Sequence, residues 1–312
     1  MLLFLVFSLL LLVITAGNQQ SVKPVITSAV INSRNIDAIC CDIDGTILDS
    51  NHELPDSTFN AIKNAIDKGY KFFPCTGRSR QSFINAVSPK LVELLCINGD
   101  INRIPGVFQQ GLMVYNYDGN LVYERLLDNQ IVTNVVEYCA KNKVSVIAYC
   151  GDKIYCQSRS KQTDKIVIYH EPIPDVFVNG LENLVHSNIN IHKLIILDEE
   201  DRLQQVRDDL TLSLAGHASL TKAVDGMLEI LPYNSNKGEG VIKLLQHCNI
   251  DKNNVIAFGD GENDVEMLIY CDIGVAVQNC KNALLKVCDY VTPGTNDDFA
   301  VGKVLDLLKP KY

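Results

Sequence analysis

Three apolar runs in this chain stop at polar residues of a similar kind, and that repetition constrains the fold most. IDAICC ends in Asp42-Ile43-Asp44-Gly45-Thr46, KFFPC ends in Thr76-Gly77-Arg78, and NVIAFG ends in Asp260-Gly261-Glu262-Asn263-Asp264. Short continuous apolar runs bounded by turn residues read as strands buried on both faces. Helical patterns lie between and after them. Pro55 to Asp67 puts Phe59, Ile62 and Ile66 on one face before Gly69, and Ser79 to Val87 opens a second helix. GEGVIKLLQHC and ENDVEMLIYC read as helices, IGVAV and YVTP as short strands with a helix near Ala283 to Lys286 between them. Strands alternating with helices imply a parallel sheet, whose ligand crevice lies beyond the carboxyl ends of the strands. All three polar endings fall there.

The middle of the chain has a different rhythm. GVFQQGLMVYNYDGNLVYE reads as a hairpin about Asp118-Gly119. Asp128 to Asn142 is a helix pattern, and VSVIAYC and KIYCQS form a hairpin across Gly151-Asp152. HKLIILDEE, a helical EEDRLQQVRDDL, ASLTKAV and MLEILP follow. Mixed strands and helices of this kind form an α+β module. The expected fold class is therefore α/β: a Rossmann-like parallel-sheet core from residues 36–126 and 223–312, with an inserted α+β cap domain at 127–222.

The polar endings carry chemistry. On an extended chain Asp42 and Asp44 share a face, and two like charges that close are costly without a cation or proton between them. Asp260 and Asp264 add two acids from another strand end. An oxygen-rich set of this sort suits Mg2+. A calcium loop does not fit: counted from Asp42 the sixth position is Ile47, and from Asp260 it is Val265, where glycine is required. No GxxxxGK[ST] phosphate loop occurs. His52, His170, His186, His192, His217 and His247 show no metal-ligand spacing.

The N-terminus is a different material. Leu2 to Ile14 is apolar except for Ser8, and Thr15-Ala16-Gly17 follows. Residues 1–17 read as a signal peptide or short anchor, since a spanning helix needs about 20 apolar residues. Residues 18–35 read as a connector. The leader points to the secretory pathway, with no stable membrane partner beyond it. Eleven cysteines lie mostly inside apolar runs with no CxxC pair, which favours buried free thiols over a disulfide framework. A net charge of −9 without a basic stripe argues against a nucleic-acid partner.

DIDGTIL at 42–48, TGR at 76–78, Lys237 in SNKGEG and GDGENDVEML at 259–268 resemble, in order and spacing, the four motifs of the haloacid dehalogenase superfamily. The resemblance covers about Ile36 to Leu308 and is greatest to Cof-type phosphatases, which carry a large α/β cap between the second and third motifs. PGVFQQGLMVYNYDG looks like plant and apicomplexan members. The third motif reads NKG where SKG is common, and Gln110-Gly111 stands near the place of an NGA-type turn. The resemblance implies a Mg2+-dependent phosphatase acting on a small phosphorylated metabolite such as a sugar phosphate. Asp42 would be the nucleophile and Asp44 the acid and base. Asp42, the Asp44 carbonyl and Asp260 would hold the metal, with Asp264 close behind. Thr76, Gly77, Lys237 and Asn263 would bind phosphate, and Arg78 would reach a substrate anion. A phosphomutase or phosphotransferase, or a non-catalytic binding protein on the same fold, is the alternative.

Overall fold

The computed structural model describes residues 23–222 and 224–311. The leader at 1–17 lies outside them, as does the start of the connector. From Lys23 onward the segment read as connector belongs to the core. Val25 bridges Val291, Ile26 N–H donates to the Val291 carbonyl at 2.9 Å, and Ile26 and Ile31 are buried.

Strands β1 (Ala38–Cys41) and β2 (Lys71–Pro74) run parallel, and the chain then forms an antiparallel three-stranded sheet from β3 (Gly106–Phe108), β4 (Met113–Tyr115) and β5 (Leu121–Glu124). A six-stranded sheet follows from β6 (Ser145–Cys150), β7 (Lys153–Cys156), β8 (Asp175–Val176), β9 (Lys193–Leu197), β10 (Ala218–Lys222) and β11 (Met227–Pro232), in the order β10-β11-β9-β6-β7-β8. Strands β12 (Val255–Gly259), β13 (Ile273–Ala276) and β14 (Tyr290–Val291) then return to β1, completing a parallel sheet in the order β14-β13-β12-β1-β2. Two points differ from the sequence reading. MLEILP, read above with the α+β module although the boundary was drawn at 222, is β11 and pairs with β9 and β10, so the six-stranded sheet extends to Pro232. The expected hairpin has a third strand, because Gln109 and Gln110 take positive φ and turn the chain between β3 and β4.

All four residues of β1 are buried, as befits a central strand covered on both faces. Helix Asp56–Asp67 packs Ile62, with Phe59 and Ile66 half-buried beside it, on the core, and sets the small Thr58, Ala61 and Ala65 deepest. The reason is helix Ala300–Leu305, whose Gly302 approaches Thr58 closely enough to favour small residues there. The six-stranded sheet packs one face on helices Asn129–Asn142 and Glu200–Leu214 and turns the other towards the parallel sheet. All eleven cysteines are free thiols. Among the described residues no helix is long and apolar enough to cross a membrane.

Candidate active site

The parallel register decides where the polar endings meet. Cys41 stands opposite Pro74 on one side and Phe258 on the other, so Asp42, Thr76 and Asp260 leave the sheet along one edge. Asp42 keeps the ladder for one more step, donating its N–H to the Phe258 carbonyl at 3.0 Å. Beyond it the chain turns. Ile43 is buried, and its carbonyl accepts from Ile47 and Leu48, both buried as well. Gly45 adopts φ +73°, and a Cβ there would lie 2.7 Å from Asp260 Oδ2. The turn parts the two acids of DIDG. Asp42 faces Lys237 and Thr46, whereas Asp44 faces Arg78 and His52. Both still line one cleft, with different partners, because the chain turns after the strand ends at Cys41.

Asp42, Asp260 and Asp264 each bring a carboxylate oxygen within 4.8 Å of the others. Thr46 Oγ1 lies within hydrogen-bond reach of Asp42 Oδ2 (3.0 Å) and Asp260 Oδ1 (3.2 Å). Asp264 is fully committed. Its Oδ2 accepts from the N–H groups of Asp260 and Gly261, and its Oδ1 from Lys237. Asp42 and Asp260 are thus the carboxylates placed to hold an ion directly, with Asp264 orienting the loop. The Asp44 carboxylate does not enter this cluster. Three acids share one ammonium here. Burial, followed by the charge of Asp264, pushes Asp42 well above the usual carboxylate range and Asp260 up to about 6. A hard divalent cation would remove that excess charge, and an all-oxygen donor set fits one.

Lys237 opens helix Lys237–His247, with the Asn236 side chain capping Glu239 N–H at 2.8 Å. It is completely buried and donates to Asp42 Oδ1 at 2.6 Å. Burial alone would discharge it, but Asp264 and Asp42 outweigh burial and hold it protonated.

The remaining expected residues line the same cleft. Thr76 is buried, and its Oγ1 accepts from Arg78 N–H at 3.2 Å. Gly77 packs against the Gln110 amide, which in turn accepts from Asn263 Nδ2 at 3.1 Å. Arg78 grips Asp44 with two 2.7 Å bonds and also donates to the Tyr169 carbonyl, so its guanidinium positions Asp44 and touches the cap. The role of meeting a substrate anion competes with that grip. Sequence reading missed Gln110 as a side chain of the cleft, although it singled out the Gln110-Gly111 turn. It also missed Tyr149, Glu171, Lys193 and Glu229, which close the cleft from the cap side. The volume enclosed is about 390 Å³.

The haloacid dehalogenase-like hydrolase family matches residues 39–305. The chain is 32% identical over 263 residues to the chloroplast endoribonuclease YBEY of Arabidopsis thaliana, covering 83% of this chain but only 44% of that protein. It is 24% identical to the 5-amino-6-(5-phospho-D-ribitylamino)uracil phosphatase YwtE of Bacillus subtilis, over 88% of this chain and 99% of that one. In fold it is similar to a HAD/COF-like hydrolase of Plasmodium vivax, with a TM-score of 0.77 at 24% identity over 90% of this chain and 98% of the other. The match across almost the whole described chain, together with the four motifs gathered at one sheet edge, means that this protein belongs to the haloacid dehalogenase-like hydrolases.

Proposed function

We propose that the protein is a Mg2+-dependent phosphatase that hydrolyses small phosphorylated metabolites, sugar phosphates above all, through a phosphoryl group carried on Asp42. The observation that supports this most is the divergence of the two acids of DIDG. Asp42 stands in the carboxylate cluster with Lys237, while Asp44 lines the same cleft in the grip of Arg78. The Bacillus relative, named for a phosphate ester, supports the reaction class.

Mg2+ held by Asp42 and Asp260 would screen the phosphoryl oxygens and orient the phosphate for attack. An oxygen of Asp42 attacks phosphorus as the bond from phosphorus to the alcohol oxygen breaks, and Asp44 delivers a proton to that oxygen. A water then attacks the same phosphorus, Asp44 takes its proton, and the bond to Asp42 breaks to restore the carboxylate. Lys237, Thr76 and Asn263 offer hydrogen bonds and charge to the phosphoryl oxygens through both steps, where positioning and charge stabilisation do most of the work. Arg78 holds Asp44 on the leaving-group side.

The test is phosphate release from a panel of monoesters by the purified chain. Release is expected to require Mg2+, to stop with EDTA, and to fall by about 10³-fold or more in Asp42→Asn. Full activity in that variant would remove Asp42 as nucleophile, and release indifferent to EDTA would remove the metal.

A further inference from the structure

Four polar side chains of the cap line the cleft without a part in the chemistry above: Tyr149, Glu171, Lys193 and Glu229. Three of them stand on one face of adjacent strands. Tyr149 pairs with Lys193 across β6 and β9, and Glu229 pairs across β11 and β9 with Ile195, two residues along from Lys193 and so on the same face. Lys193 and Glu229 are 2% and 4% exposed and joined at 2.6 Å. Well-packed apolar residues would serve stability as well as such a buried pair, so its presence at a cleft wall asks for another reason. Lys193 has three protons to donate; Glu229 takes one, and the Tyr149 ring lies 4.5 Å from the ammonium. The Tyr149 residue is 2% exposed; its hydroxyl makes no hydrogen bond among the described residues and is not one of their sealed, unpartnered atoms, so it remains open to the cleft. A hydroxyl at a cleft wall that no protein group engages is free to donate to and accept from a ligand. Burial, helped by the charges of Glu171 and Glu229, pushes this hydroxyl upward and so keeps its proton available.

We propose that Tyr149, Glu171, Lys193 and Glu229 form a wall that binds the alcohol part of the substrate through its hydroxyl groups and rejects an alcohol bearing a second anionic group. Each substrate hydroxyl both donates and accepts. The wall supplies donors from Tyr149 and Lys193 beside acceptors from Glu229 and Glu171. Its two carboxylates against one ammonium leave it net negative. Arg78, the nearest other cation, is already taken by Asp44. A second phosphate placed here would meet like charge, which costs far more than a missing hydroxyl contact. The buried Ile166, Ile195 and Met227 provide apolar surface for a carbon skeleton, and 390 Å³ is small for a ligand site, suited to one phosphate and one short polyol or sugar ring.

This inference rests on the phosphatase reading, and the experiment separates the two. The full chain is assayed with Mg2+ on a hexose 6-phosphate, the matching hexose 1,6-bisphosphate and p-nitrophenyl phosphate, which has no hydroxyl. The monophosphate is expected to exceed the bisphosphate in kcat/KM by about 30-fold or more. Glu229→Gln and Glu171→Gln each shrink that ratio by roughly three- to tenfold. Tyr149→Phe raises KM for the hexose 6-phosphate relative to p-nitrophenyl phosphate by about tenfold. Ratios survive partial loss of folded protein in any variant. Equal or better use of the bisphosphate, or ratios untouched by all three substitutions, overturns the wall while leaving the phosphatase reading standing. No turnover of any of the three esters overturns both.

Discussion

Gly45 meets two demands at one position. Its φ of +73° lies in the left-handed region that side chains disfavour, and the space a Cβ would need is filled by the Asp260 carboxylate. In sequence it is one of the polar and turn residues that end the IDAICC run. The structure adds that it lets two strand ends share their carboxylates. Gly45→Ala is expected to cost about 1–2 kcal/mol of stability from backbone strain. It should also weaken Mg2+ binding at least tenfold by displacing Asp260, read by calorimetric titration of the purified variant. Unchanged Mg2+ affinity would mean that Asp260 is not a direct ligand. The acids themselves were legible one by one. Their division of labour was not, because it depends on a turn that begins one residue after the strand ends.

At the scale of elements, the helix Arg80–Ala86 fastens the cap to the core. Ser79 caps it, accepting from Ser82 N–H, and also donates to Glu171 at 2.7 Å. Ser82 and Arg78 both donate to the Tyr169 carbonyl, and Asn85 to that of His170. Arg80 stacks 4.1 Å from the Tyr115 ring centre and pairs with Asp152 at the tip of the β6–β7 hairpin. Arg80 Nε and Asp152 Oδ1 are both left without partners, so the pair is single-pronged and falls short of a bidentate arginine contact. A double-mutant cycle of Arg80→Ala and Asp152→Ala in urea should give a coupling of about 1–2 kcal/mol. A coupling near zero would mean that the hairpin tip is held by the other contacts alone. The helix was readable from SRQSFINA. Its role as an attachment was hidden, since its partners lie some 70 to 90 residues away.

Across the whole molecule, the carboxylate cluster ties stability to pH and metal. Asp260 is raised from 3.8 to about 6 by burial and by Asp264, so the metal-free fold binds that proton more tightly than the unfolded chain does. The resulting stabilisation is complete below about pH 4 and fades as pH climbs through 6. In EDTA the melting temperature is therefore expected to drop between pH 5 and pH 7.5. Mg2+ should restore it at pH 7.5, because a cation replaces the lost proton. Asp260→Asn should flatten both responses. A wild-type melting temperature indifferent to Mg2+ at pH 7.5 would count against a metal at this edge.

By itself the sequence determined the periodicities, the strand ends and the motif residues. Apolar runs such as IDAICC are buried wherever they fold, and helix patterns follow from local spacing and end signals. It also carried the family, through residues close together in the chain. Only the tertiary structure decided which strands pair. That choice set MLEILP beside β9, gave Asp42 and Asp44 different partners in one cleft, brought Gln110 to Asn263 and set Tyr149, Lys193 and Glu229 on one wall. Pairing and register depend on contacts between distant residues, and local patterns do not encode them.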